Sequence, residues 1–320
     1  MFLVCEGIGV WGKYKIALRP WEIPDVSLLE YEESEQFVDL AEEPKPYEGT
    51  FPGGRITVAF VDGVRRTEYA LYLIDDNGSS YEGAFASLGA GAIIVELGKL
   101  NSVRESMIYP IIKRYLVVKG IFEDMQYQGV FEMRTTQDDV SKEINRVMRE
   151  ELEVSVARKV AKELKPTLLI CDGTLSNRLR GTLCVGYVKT IKKLFIRRED
   201  AYMLNELRCG QRTPIIKVHY QRGQEEKEKV EKYTWYVKLT EGEGIGSLAR
   251  LEVFEKVGLE ITKHIADLTA GILPRLVSST FQDRRSPQNL LPIKSLENFL
   301  RRHLGSYSIV RREIEKLIYA

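Results

Sequence analysis

Paired cysteines, clustered histidines and long apolar runs are all missing from this 320-residue sequence. Its four cysteines, Cys5, Cys171, Cys184 and Cys209, are scattered, and no Cys-x-x-Cys pair occurs. That argues against a disulfide framework and against zinc held by paired cysteines. His219, His264 and His303 are the only histidines and lie far apart, which disfavours chemistry that needs several imidazoles. No stretch approaches the roughly 20 apolar residues of a membrane span. The start, Met1 to Gly7, turns acidic too early for a signal peptide, so a soluble, cytoplasmic protein without membrane association is expected. No Gly-x-x-x-x-Gly-Lys-Ser/Thr motif is present, so any ATP-driven movement must come from a partner.

What is present is ordinary in sum and uneven in detail. Hydrophobic residues make up 44% and charged residues 29%, the balance of a globular chain with one large domain or two smaller ones. The net charge of +1 hides two opposed blocks. Residues 1–50 hold four Lys/Arg and eleven Asp/Glu, whereas residues 176–222 hold eleven Lys/Arg and three Asp/Glu. The basic block can neutralise phosphates, or it can be a solvated face balanced by the acidic segment. With Pro20, Pro24, Pro44 and Pro46 among its acids, residues 1–50 read as an arm or small lead-in module, and residues 51–320 as the main domain.

Within that domain, Arg55 to Gly63 is a β-branched apolar run ending in Asp62-Gly63. Glu68 to Asp75 and Ala92 to Val95 read as further strands of a three-stranded meander over 55–96. Ile144, Met148, Leu152, Val156, Val160 and Leu164 recur every four residues, predicting a helix over 137–165 that Pro166 stops. Thr167 to Gly173 is a second apolar strand ending in Asp-Gly. Strands are also expected at 213–218, 234–239 and 248–254, with 224–232 as an exposed hairpin or loop. A helix is expected at 257–273, a loop at 281–292 and a final helical region from Leu296. The fold class is α/β.

Two buried strands that each deliver an Asp at their ends suggest chemistry, because neighbouring strand-end carboxylates can share hard divalent ions. A third carboxylate usually comes from a helix, here Glu150, Glu151 or Glu153. At about 100° per residue, Glu151 lies roughly 60° from the apolar stripe near Met148 and Glu153 about 140°. Glu151 is therefore the first choice and Glu153 the alternative. Asp172-Gly173-Thr174 is also similar to the Asp-x-Asp-Gly-Thr loop of haloacid-dehalogenase phosphatases, but Ile170 stands where their nucleophile would be.

Six segments in order resemble the bacterial form of the NurA nuclease family. They are Phe60 to Arg66, Cys171 to Ser176, Val185 to Thr190, Arg212-Thr213-Pro214, Trp235 to Leu239, and Asp283 to Ile293. The resemblance spans about residues 55–315. It implies a ribonuclease-H-like mixed sheet core flanked by helices, here with an N-terminal extension. It also implies Mn²⁺- or Mg²⁺-dependent DNA cleavage with two ions, a homodimer, and a HerA-type hexameric translocase as partner. The implied role is 5′ to 3′ end resection in double-strand break repair, by an exonuclease with possible endonuclease activity. By position, Asp62 and Asp172 are metal ligands, the helix Glu matches in general placement, and Asp283 is the fourth acidic position. On this reading Arg65, Arg66, Lys189 and Arg212 can contact DNA phosphates, the alternative being exposed or edge-strand charges, and Tyr187, Trp235 and Tyr236 can stack on bases, although aromatics on strands more often fill the core. The alternative is a noncatalytic DNA-binding or scaffold subunit of the same complex.

Overall fold

The computed structural model describes residues 9–11, 14–18, 36–98, 103–120, 130–189, 191, 194–220, 230–241, 245–278 and 286–319. Among the described residues, fourteen strands form one mixed sheet. They are β1 (Gly9–Trp11), β2 (Tyr14–Leu18), β3 (Gln36–Leu40), β4 (Tyr47–Glu48), β5 (Ile56–Ile74), β6 (Ser80–Leu97), β7 (Val103–Lys119), β8 (Glu132–Thr136), β9 (Leu168–Asp172), β10 (Val185–Val188), β11 (Gln211–Arg212), β12 (Ile216–Tyr220), β13 (Val230–Lys238) and β14 (Leu248–Phe254). The helices are α1 (Val140–Val147), a π-helical segment (Met148–Glu153), α2 (Val154–Glu163), α3 (Met203–Glu206), α4 (Leu259–Ile272), α5 (Leu291–His303) and α6 (Tyr307–Tyr319).

The centre of the sheet runs β7-β6-β5-β9-β10. β5, β6 and β7 form an antiparallel meander, and β9 and β10 add in parallel to β5. This is an α/β fold with helices on both faces, consistent with a ribonuclease-H-like core. On one face α1, the π segment and α2 cover Ala59 and Val61 of β5 together with Ala84, Ala86, Ala90 and Ala92 of β6. These small side chains let the helix lie close to the sheet. On the other face α4 and α5 cover Val58, Phe60, Ile170, Trp235 and Leu251. The alternation of Phe60 and Val61 between these cores is the period-2 pattern that marks the strand in sequence.

Several boundaries differ from the sequence expectation. The meander over 55–96 is two long strands, because Asp62-Gly63 does not end β5: Asp62 pairs with Gly91 and Gly63 with Ala90, and the strand runs on to Ile74. β7 completes the meander and was not expected; Pro110 inside it weakens any strand reading. The charged run at 224–232 contributes its last residues to β13, and residues 224–229 lie outside the described residues. α5 starts at Leu291, with Pro292 in its first turn, five residues before the expected Leu296.

The opposed charge blocks meet in the fold. Arg197 pairs with Asp39 at 2.6 Å. Arg212, almost wholly buried, donates to Glu42 and to Asp267, each at 2.6 Å. Residues 36–48 of the expected arm thus add to the sheet edge through β3 and β4.

Near β14 a second buried charge group holds the turn after β9. Glu252 accepts from Lys232 at 2.6 Å, Arg250 at 2.9 Å and the Leu175 backbone N–H at 2.8 Å. Burial opposes ionisation of Glu252, but the two cations and the backbone donor more than offset it and lower its pKa to about 2. A carboxyl at about 2 when folded and at its ordinary value when unfolded adds stability that is complete above that ordinary value and lost as pH falls toward 2. Glu252→Gln leaves two buried cations poorly matched, so it should destabilise the protein by about 3–5 kcal/mol in urea at pH 7. The gap to wild type should close on acidification. A gap below about 1 kcal/mol would mean that the cations do not depend on this carboxylate.

Candidate metal centre

Parallel pairing between β5 and β9 ends at Val61 and Cys171. Asp62 and Asp172 are the next residues on each strand, so they stand side by side where the two strands part. Phe60 and Ile170, two residues earlier, pack into the core covered by α5, so both carboxylates share that face. The glycine after each Asp opens the opposite face. A Cβ on Gly63 would sit 2.6 Å from Glu153 Oε1, and one on Gly173 would run into the Arg149 guanidinium. Gly173 also has φ +83°, a conformation that favours glycine. The repeated Asp-Gly is thus less a turn than a device: the Asp serves one face, and the Gly admits a helix side chain from the other.

Both of those helix side chains come from the π segment. Arg149 donates to the carbonyls of Asp172 at 3.2 Å and Thr174 at 3.3 Å. Glu153 is buried. Glu151 points elsewhere: it accepts from Arg134 at 2.9 Å and lies 3.4 Å from Arg146. The rotation that favoured Glu151 assumed regular α-helix. The π segment's i→i+5 bonding winds less per residue, and Met148, Leu152 and Glu153 become its buried residues.

α5 brings a carboxylate that the sequence reading did not include. Glu297 follows Leu296, which with Ile293 and Leu300 forms the buried stripe of α5. A Cβ on Gly91, the β6 partner of Asp62, would touch Leu300 at 3.2 Å and Leu296 at 3.5 Å. That glycine lets α5 approach the sheet and sets Glu297 over the two aspartates. Asp62, Asp172 and Glu297 each offer one oxygen, all within 4.8 Å of one another. The available signal was an acid four residues after Ile293 on an apolar helix face, masked by starting the helix too late.

Lys189, just past β10, lies among these acids. Its ammonium is 2.8 Å from Asp172 Oδ2, 2.8 Å from Asn289 Oδ1 and 3.6 Å from Glu297 Oε1. Burial works against its charge, but Asp172 and Asp62 outweigh this and raise its pKa. Asp62 accepts at Oδ1 from the Gly63 N–H, while its buried Oδ2 has no hydrogen-bond partner in the structure. Burial, then the charge of Asp172, push the Asp62 carboxyl well above the usual range. Burial likewise pushes Glu153 up to about 7, partly countered by Arg149. An all-oxygen donor set with an unpartnered buried carboxylate oxygen fits a hard divalent cation such as Mg²⁺ or Mn²⁺.

Asp283 lies outside the described residues. Arg66 donates to Glu68 at 2.9 Å and to the Gly305 carbonyl at 2.9 Å, tying β5 to the α5–α6 connection. Arg65 is half-buried on β5, three residues beyond Asp62. Arg212 is enclosed by its acids. Tyr187 is fully buried and donates its hydroxyl to the Gln288 carbonyl at 2.7 Å, beside the Asn289 that holds Lys189. Its ring belongs to the core under α5.

A family model described as NurA domain matches residues 56–302, more than half of the chain. No curated protein matches it.

Glu153 yields a pH test. A carboxyl at its ordinary value when unfolded and about 7 when folded favours the folded state most at low pH, and that advantage is lost as pH rises through 7. In EDTA at pH 8, Glu153→Gln should therefore melt at least about 2 °C above wild type, and the difference should shrink toward pH 5. Equal melting temperatures at pH 8 would mean that ionised Glu153 is well solvated.

Proposed function

The chain belongs to the NurA family, and on that premise we propose that it is a Mn²⁺- or Mg²⁺-dependent exonuclease that resects DNA ends from 5′ to 3′ beside a HerA-type hexameric translocase. The family makes it a nuclease of DNA repair. The observation that best supports the finer reading is the unpartnered, buried Oδ2 of Asp62 next to Asp172 and Glu297.

Asp62, Asp172 and Glu297 would hold the cation, with Asp283 as a further candidate ligand. Bound there, a divalent ion would supply Lewis acidity toward a phosphate oxygen and lower the pKa of water. The protein supplies the rest. Glu153, poised near neutrality, can take a proton from water. Arg149 fixes the turn after Asp172 through its carbonyls, and so the direction of that carboxylate. Arg65, on the face of β5 that Gly63 opens, would be a phosphate contact outside the carboxylate cluster. With no phosphate-loop motif in the sequence, the ATP-driven movement in this proposal falls to the translocase. A homodimer and an additional endonuclease activity belong to the same proposal. No helix among the described residues is long and apolar enough to cross a membrane.

The test is cleavage of linear DNA labelled at the 5′ or 3′ end, with Mn²⁺, Mg²⁺ or EDTA. Asp62→Asn, Asp172→Asn and Glu297→Gln should each lose at least roughly 100-fold in rate while still binding DNA. Glu151→Gln should lose far less than Glu153→Gln. Early release of the 5′ label should mark the direction. Cleavage that persists in EDTA or in Asp62→Asn would overturn the metal reading. DNA binding without cleavage under any condition, translocase included, would favour the noncatalytic scaffold.

A further inference from the structure

The notable feature of the centre is that it already contains a cation. Lys189 Nζ is within 4 Å of two of the three carboxylates that come together, and it takes one oxygen of Asp172 directly. It is not a mobile surface lysine. Its side chain is 12% exposed, the strand that ends just before it is paired on both sides by β9 and β14, and Asn289, fully buried, accepts from its ammonium. Tyr187, on the same face two residues earlier, fastens the neighbouring Gln288 carbonyl. The ammonium is thus held in the cluster by a fully buried amide oxygen and by Asp172.

Space and charge both bear on what else can bind. Two ions that share a phosphate sit about 3.5–4 Å apart and draw on several oxygens each. Here the three ligand oxygens span no more than 4.8 Å, and Lys189 occupies one side of Asp172. Asp62, Asp172 and Glu297 converge here, and Lys189 already offsets part of their charge. Lys189 pairs with Asp172 Oδ2, whereas Asp62 Oδ2 remains without a partner.

We propose that the centre takes a single divalent cation on the Asp62 side and that the Lys189 ammonium occupies the place a second ion would fill. This rests on the nuclease reading above and narrows the two-ion expectation drawn from the sequence. Charge on a bound phosphate is then met by one metal ion and one fixed ammonium. A lysine ammonium is a compact point charge that can stand among carboxylate oxygens, and a charge-keeping substitution should preserve that role.

Mn²⁺ binding to the full chain tests this, followed by loss of the free-ion electron paramagnetic resonance signal. It is measured alone and with a single-stranded phosphorothioate oligonucleotide. Wild type should bind one ion per chain in both conditions. Lys189→Met, which keeps the length and removes the charge, should bind two in the presence of the oligonucleotide, and Lys189→Arg should bind one. Asp62→Asn should bind none. Two ions on wild type, or one on Lys189→Met with unchanged affinity, would overturn the proposal and leave the metal site standing. No ion on wild type would overturn the metal reading itself.

Discussion

Asp62 and Asp172 repel each other from adjacent strands, in a place where little water screens them. Much of the surrounding structure answers that repulsion. β9 is held parallel to β5 up to the residue before each Asp, so the two carboxylates cannot drift apart along the sheet. Gly173 makes room beneath them for the Arg149 guanidinium, while Gly63 admits Glu153, whose charge adds to the repulsion. Lys189 neutralises one side, and Asn289 fixes the lysine. Such an arrangement costs stability in the empty protein and favours whatever cation restores neutrality.

The support extends beyond the residues that could touch an ion. Glu252 caps the Leu175 backbone N–H and gathers Lys232 and Arg250 beside it, so the turn leaving Asp172 is held by a buried charge group from β13 and β14. On the opposite side, Gly91 lets α5 settle close enough for Glu297 to reach the aspartates. Arg66 ties the far end of α5 back to β5 through the Leu304 and Gly305 carbonyls. The carboxylates thus sit on rigid strands and on a helix locked at both ends. A cation needs that preorganisation, because ligands left free to move would relax away from one another.

How much of this the sequence displayed varies with the range of the interaction. Asp62 and Asp172 were visible because each follows an apolar run of strand length, and that signal is local. The extent of β5 was not, since Asp-Gly usually marks a turn, and only the pairing of Gly63 with Ala90 shows that the strand continues. The choice between Glu151 and Glu153 turned on helix winding. A π segment leaves no mark in periodicity, because Met148, Leu152 and Val156 keep their four-residue spacing through it. Glu297 depended on where α5 begins, and the polar, proline-containing stretch before it hid the first turn. The basic block at 176–222 divided into different uses: Lys189 at the centre, Arg212 in the core and Arg197 on the acidic segment. Charge density by itself does not sort these, since burial and partners decide them.

The central claim is that the strand-borne aspartates and Glu297 form a metal site. Anomalous scattering from crystals of the full chain soaked in Mn²⁺ tests it most directly. The account predicts an anomalous peak bonded to Asp62, Asp172 and Glu297, on the side of Asp172 away from Lys189. A well-ordered centre with no peak there, or a peak bound to Glu151 instead, would contradict it.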